Sequence, residues 1–73
     1  MQASILRSPA GTSILEVKPG KLSGYWQAVV TDFNGGQPVT YTQGSGLNGG
    51  EASNMRARLI HSGWTELYRG EAK

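Results

Sequence analysis

The sequence predicts an α+β two-layer sandwich, an antiparallel β-sheet of four to five strands with one amphipathic helix, in the order β-β-β-β-α-β. Three features lead to it. Short runs rich in Ile, Val, Tyr and Thr are separated by Pro-Gly and Asn-Gly pairs, which reverse the chain between antiparallel neighbours. One later segment, residues 51–62, changes to helical spacing, with Ala52, Met55 and Leu59 on one face and Ile60 beside them. The chain has 73 residues, of which 11 are glycine and none cysteine, so it forms one small domain with a small core and no disulfide.

Residues 2–7 and 12–18 each carry a Ser-Ile-Leu triplet and flank Ser8-Pro9-Ala10-Gly11, a combination that favours a reversal, so they read as a β-hairpin. The triplet is too short for a repeat architecture and reflects the β-propensity of Ile and Leu at half-buried positions. Pro19-Gly20 suits the central positions of a type II turn, where proline presets φ and glycine supplies a positive φ. Residues 24–32 make the strongest strand, with Trp26, Ala28 and Val30 on the expected core face and Tyr25, Gln27 and Val29 on the other. Asn34-Gly35 then predicts a type I′ hairpin turn. The returning strand, residues 38–43, alternates apolar and polar, and Pro38 at its start lacks a ladder donor and marks a sheet edge.

Residues 44–50 read as a glycine-rich loop leading into the helix. Asn48 followed three residues later by Glu51 matches a capping box, Gly63 stands where a left-handed C-terminal cap is wanted, and His61 lies in the last turn. Residues 65–69 form a last short strand after Trp64, and residues 70–73 should fray. This plan is similar to that of small βββα domains such as the HicB-like antitoxins, and Gly24-Tyr25-Trp26 with Thr42-Gln43-Gly44 resemble their strand-turn-strand stretch. The likeness covers less than half the chain and is one of fold only; a role like that of mobile-element regulators, antitoxins or inhibitors is expected from the short chain, few charges, edge-prone strand and lack of a catalytic set.

The formal charge is +2, and 16% of residues are charged, below the roughly 25% usual for globular domains. The basic residues are spread along the chain and do not form the stripe that phosphate-backbone binding usually needs. No basic start followed by an apolar run opens the chain, and no window reaches the roughly 20 apolar residues of a membrane span. A cytoplasmic protein without membrane contact is expected.

Gly44, Gly46 and Gly49 satisfy G-x-G-x-x-G between a strand and a helix, and with Gly50 they could let a phosphate or nucleotide approach the helix N-terminus. The threonine-rich alternation of the preceding strand, the antiparallel hairpins upstream and the short chain oppose a dinucleotide fold, so no cofactor is expected. The lone histidine, His61, and the lone aspartate, Asp32, come with no spacing that positions a nucleophile or an oxyanion hole, so no catalytic residue and no enzyme is expected. One histidine, no cysteine and five scattered carboxylates argue against a metal.

Arg56 falls within the apolar stripe of the helix. Either its stem lies along the apolar rim while the guanidinium reaches water or a sheet carboxylate, or it joins Arg58 in a basic face toward phosphates or an acidic partner. Arg58 shares the opposite, polar face with Glu51, Asn54 and His61. Trp26 and Trp64 are expected in the core or a subunit interface. Tyr25, Tyr41 and Tyr68, if they point outward, could stack on bases or hold a protein interface. The first expectation is therefore a non-enzymatic protein–protein interaction or regulatory module, a homodimer whose sheet face or edge binds another protein. The second is a nucleic-acid binder using Arg56, Arg58, Arg7 and the lysines, with aromatic stacking from the sheet tyrosines. The third is phosphate or nucleotide binding at the glycine segment.

Overall fold

The computed structural model describes residues 3–70. Its elements are β1 (Ala3–Arg7), β2 (Ser13–Pro19), β3 (Trp26–Asp32), β4 (Val39–Leu47), α1 (Gly49–His61) and β5 (Thr65–Gly70). They make one five-stranded sheet in the spatial order β4-β3-β2-β1-β5, antiparallel at every pairing. Four strands form a meander, and α1 then carries the chain across to the far edge, where β5 pairs with β1. The α+β class and the order β-β-β-β-α-β are those the sequence predicts.

Register explains the core. Leu15 lies opposite Leu6 on one side and Val30 on the other, while Val17 lies between Ser4 and Ala28. Because successive strand residues point to opposite faces, this places Ser4, Leu6, Leu15, Val17, Ala28 and Val30 on one side of the sheet. All six are buried, and Ala52 of α1 is buried against them. Trp26, Leu47, Met55, Leu59 and Trp64 pack around this cluster. The helical stripe is narrower than its sequence reading, since Ile60 remains exposed at its margin.

The capping box is formed as expected. Glu51 N–H donates to Asn48 Oδ1 at 2.8 Å, and Asn48 N–H donates to Glu51 Oε1 at 3.0 Å. At the other end Gly63 has φ of +102°, the left-handed cap. Asn48→Ala removes an acceptor for an otherwise orphan helix donor and should cost about 1 kcal/mol, read as a lower urea midpoint with an unchanged slope.

Local turn chemistry departs from its sequence reading at several points. The first hairpin is reversed at Ser8-Pro9-Ala10-Gly11 as expected, with Gly11 N–H donating to the Ser8 carbonyl at 2.9 Å and Gly11 at φ +77°. Pro19-Gly20 is not the type II turn: Pro19 still belongs to β2 and Gly20 has no positive φ. The positive φ falls at Gly24, +85°, where Tyr25 N–H donates to the Leu22 carbonyl at 3.1 Å, so Gly24 and Tyr25 are loop residues ahead of β3. Asn34-Gly35 is not a type I′ turn. No non-glycine residue among those described has positive φ, and Asn34 N–H is held by Asp32 Oδ1 at 2.9 Å, which moves the left-handed positions to Gly35 and Gly36 in a longer loop that includes Pro38.

The largest difference concerns residues 44–50. Gly44, Ser45, Gly46 and Leu47 continue β4, and Gly49 and Gly50 open α1, so the segment is not a free loop. Pairing with β3 overrides the weak strand propensity of glycine: Ala28 faces Gly44 and Trp26 faces Leu47, with an extra β4 residue between them. Gly46, at φ +63°, supplies the left-handed position within this bulged stretch. Gly70 likewise belongs to β5, opposite Ala3, and is not frayed; the rest of the expected frayed end, residues 71–73, lies outside the described residues.

Candidate functional site

The face of the sheet opposite α1 has no covering element among the described residues. The registers place two rows of side chains there. One runs Thr42, Val29, Glu16, Ile5, Tyr68 across all five strands, and the next runs Thr40, Thr31, Ile14, Arg7, Thr65. Ile5, Ile14 and Val29 are half-buried, so they surround Glu16 at the centre of an open, partly apolar surface. The rim is polar: the Thr31 and Thr40 hydroxyls are 3.1 Å apart, and Lys18 Nζ stands 3.9 Å from Glu16 Oε1. Tyr68 extends along its own strand, since a Cβ added at Gly70 would collide with its ring and hydroxyl.

At one end of this face lies a cleft of about 490 Å³. Gln27 and Thr42 form its floor, and the β2–β3 loop rises as a wall through Gly20, Lys21, Leu22 and Tyr25. Ser45 and Gly46 of the β4 bulge close the other side. The wall is braced by its own hydrogen bonds, with Gly20 N–H donating to the Tyr25 carbonyl at 2.8 Å and Gln27 Nε2 donating to the Pro19 carbonyl at 3.3 Å.

Behind the opposite face, Arg56 makes a two-pronged ion pair with Glu66 of β5: Nε donates to Oε2 at 2.6 Å and Nη2 to Oε1 at 2.8 Å. This is the sheet-carboxylate alternative for Arg56, and it commits the guanidinium within the fold. A bulge in the β1–β5 pairing between Ile5 and Leu6 keeps Glu66 in register with Leu6, on the helix side, while Leu67 is exposed. Hydrogen bonding to Arg56 holds the Glu66 carboxyl below the usual carboxylate range, against the opposing pull of desolvation, and raises Arg56 in turn. The Ser4 hydroxyl pulls the Glu66 carboxyl the same way, yet Ser4 Oγ is buried without a partner in full hydrogen-bond geometry.

The sequence-predicted site residues do not converge. Tyr25 is in the cleft, Tyr68 is on the open face at the β5 edge, and Tyr41 pairs with Val30 and so lies on the helix side at the β4 edge. Arg58 is exposed on α1. Of the glycines, Gly46 lines the cleft, Gly44 sits near Leu47 and Met55, and Gly49 and Gly50 belong to the first helical turn. That turn already holds a carboxylate, from Glu51.

Ile5, Ile14, Val29 and Ser45 have no site role in the sequence reading, and Lys21 enters it only among the lysines of the nucleic-acid alternative. A signal for the first three was present: Ile5-Leu6, Ile14-Leu15 and Val29-Val30 are adjacent apolar pairs, which in a strand put one apolar residue on each face. The cleft residues carried no such signal, because the loop and the bulge meet only through the β3–β4 register. No helix among the described residues is long and apolar enough to cross a membrane. In comparisons with protein-family models, curated proteins and solved structures, nothing matches this chain.

Proposed function

We propose that the chain is a non-enzymatic protein-interaction module that acts through the open face of its sheet, with a second copy of itself as the occupant. The observation that carries this reading is the apolar group Ile5, Ile14 and Val29 around Glu16 on the three central strands, on a face that no element covers among the described residues and that threonines and charges border. A two-fold contact suits it, because the face carries both signs, and Glu16 of one copy can meet Arg7 or Lys18 of the other. The small core is a further reason, since burying this face in a dimer adds to a modest set of buried side chains. Its biological setting would be regulatory or inhibitory, in the manner of small antitoxin-like proteins, with a further protein bound at a sheet edge. The cysteine-free composition suits a reducing cytoplasm.

A protein partner fits better than nucleic acid. Base stacking on a sheet requires rings on its central strands, whereas the central open-face positions here are Ile, Val and Glu, and the tyrosines are dispersed. Sedimentation equilibrium at micromolar concentration should give a dimer mass, and Ile14→Arg should return the monomer with unchanged far-ultraviolet circular dichroism. A wild-type chain that stays monomeric at millimolar concentration overturns the reading.

A further inference from the structure

We propose that the cleft beneath the β2–β3 loop is a binding site for a small organic monocarboxylate with an aromatic or branched aliphatic body. The cleft borders the open face through Thr42, but its ligand chemistry does not rest on self-association. The cleft volume, about 490 Å³, falls within the range of small-molecule sites. Its chemistry is divided in a way that selects a ligand. Leu22 and Tyr25 are large side chains left 68% and 45% exposed along one wall, where they offer apolar surface to the body of a ligand. The same wall carries Lys21, and the lining opposite includes Thr42 and Ser45, residues whose ammonium and hydroxyl groups can donate to an anion.

Charge narrows the class. Lys21 is the one ionised lining residue, no carboxylate lines the cleft, and Lys21 makes no ion pair among the described residues. A lone lysine is a point charge that balances the single negative charge of a carboxylate, whereas it leaves part of a phosphate's larger charge unmet unless further cations or an arginine fork join it. One ammonium with two hydroxyls therefore favours a carboxylate over a phosphate. The walls are also shaped in advance. Gly20 comes close enough to the Tyr25 carbonyl that a Cβ there would sit 3.4 Å from it, Gly24 takes the left-handed turn position, and Gly46 the left-handed bulge position. A ligand entering this cleft meets a hydrogen-bonded loop and does not have to order one.

The test is a titration of the full chain followed by ¹H–¹⁵N correlation spectra, using 3-phenylpropionate, its neutral amide 3-phenylpropionamide, and inorganic phosphate as separate probes. The carboxylate should give saturable shifts at Lys21, Leu22, Ser45 and Gly46 with a millimolar dissociation constant, and the amide and phosphate should bind at least about tenfold more weakly. Lys21→Met and Ser45→Ala alter exposed side chains, so their spectra should retain the fold, and Lys21→Met should weaken the carboxylate by about tenfold. Equal binding of acid and amide, equal binding of phosphate, undiminished binding to Lys21→Met, or shifts scattered away from the cleft would each overturn the assignment.

Discussion

Leu15→Ala should lower the stability of the domain by about 2–5 kcal/mol, the largest effect expected of any single side-chain truncation here. Leu15 is fully buried on the middle strand of the sheet, flanked by Leu6 and Val30, and lies in the cluster that receives Ala52 of the helix. Truncation removes apolar contact on every side, and a sheet held by two flanking registers cannot collapse into the space. A chain of 73 residues has a total stability on the order of 4–11 kcal/mol, so the loss is a large fraction of the whole. For a loss near 3 kcal/mol the unfolding midpoint should fall by roughly 12–24 °C in calorimetry. The instructive control is the adjacent residue. Ile14→Ala changes the open face, and in a monomer it should cost about 1 kcal/mol or less, because that side chain is only half-buried. Where the open face is covered by a second copy, the Ile14→Ala deficit grows with protein concentration, whereas the intrinsic Leu15→Ala cavity penalty does not depend on it. A Leu15→Ala midpoint within a few degrees of wild type would mean that the core lies elsewhere.

The contrast between Leu15 and Ile14 also marks what could be read from the sequence. Alternation located the strands and gave the core face of residues 26–30 correctly, because a two-residue period survives without knowledge of the partner strand. The helix was legible at both ends because Asn48, Glu51 and Gly63 act through contacts within a few residues. Features set by contacts distant in sequence were not legible. Gly44 to Leu47 have the composition of a loop and become strand only because β3 is long enough to pair with them. The turn at Asn34 departs from the Asn-Gly rule because the Asp32 carboxylate competes for its N–H, a local effect that a dipeptide rule does not contain. The cleft joins residues near positions 21 and 45 through a sheet register, and no short motif encodes such a meeting.

Arg56 and Glu66 should together make stability depend on pH in the acid range. The Glu66 carboxyl lies below its ordinary value because it accepts two charge-assisted hydrogen bonds from Arg56. A carboxyl whose folded-state value is depressed contributes stability that is fully present above its unfolded value, about 4.3, and is lost as pH falls through the folded value. Glu66→Gln should therefore cost about 1–2 kcal/mol near neutrality, and the gap to wild type should close as the solution is taken well below pH ~4. The side chains of Arg56 and Glu66 retain 21% and 24% exposure, which keeps the penalty below the roughly 3–5 kcal/mol of a fully buried pair. Arg56→Met should be at least as damaging, because it leaves Glu66 half-buried without its donor, and desolvation then raises that carboxyl. Ser4→Ala separates the ion pair from its surroundings. The Ser4 hydroxyl is buried and lacks a full hydrogen bond, so its removal should change stability by no more than about 0.5 kcal/mol in either direction while leaving the acid dependence in place. Urea unfolding of the four proteins across a pH series measures all of these together. A wild-type to Glu66→Gln gap that stays constant into strong acid would show that the charge of Glu66 is not what ties α1 to β5.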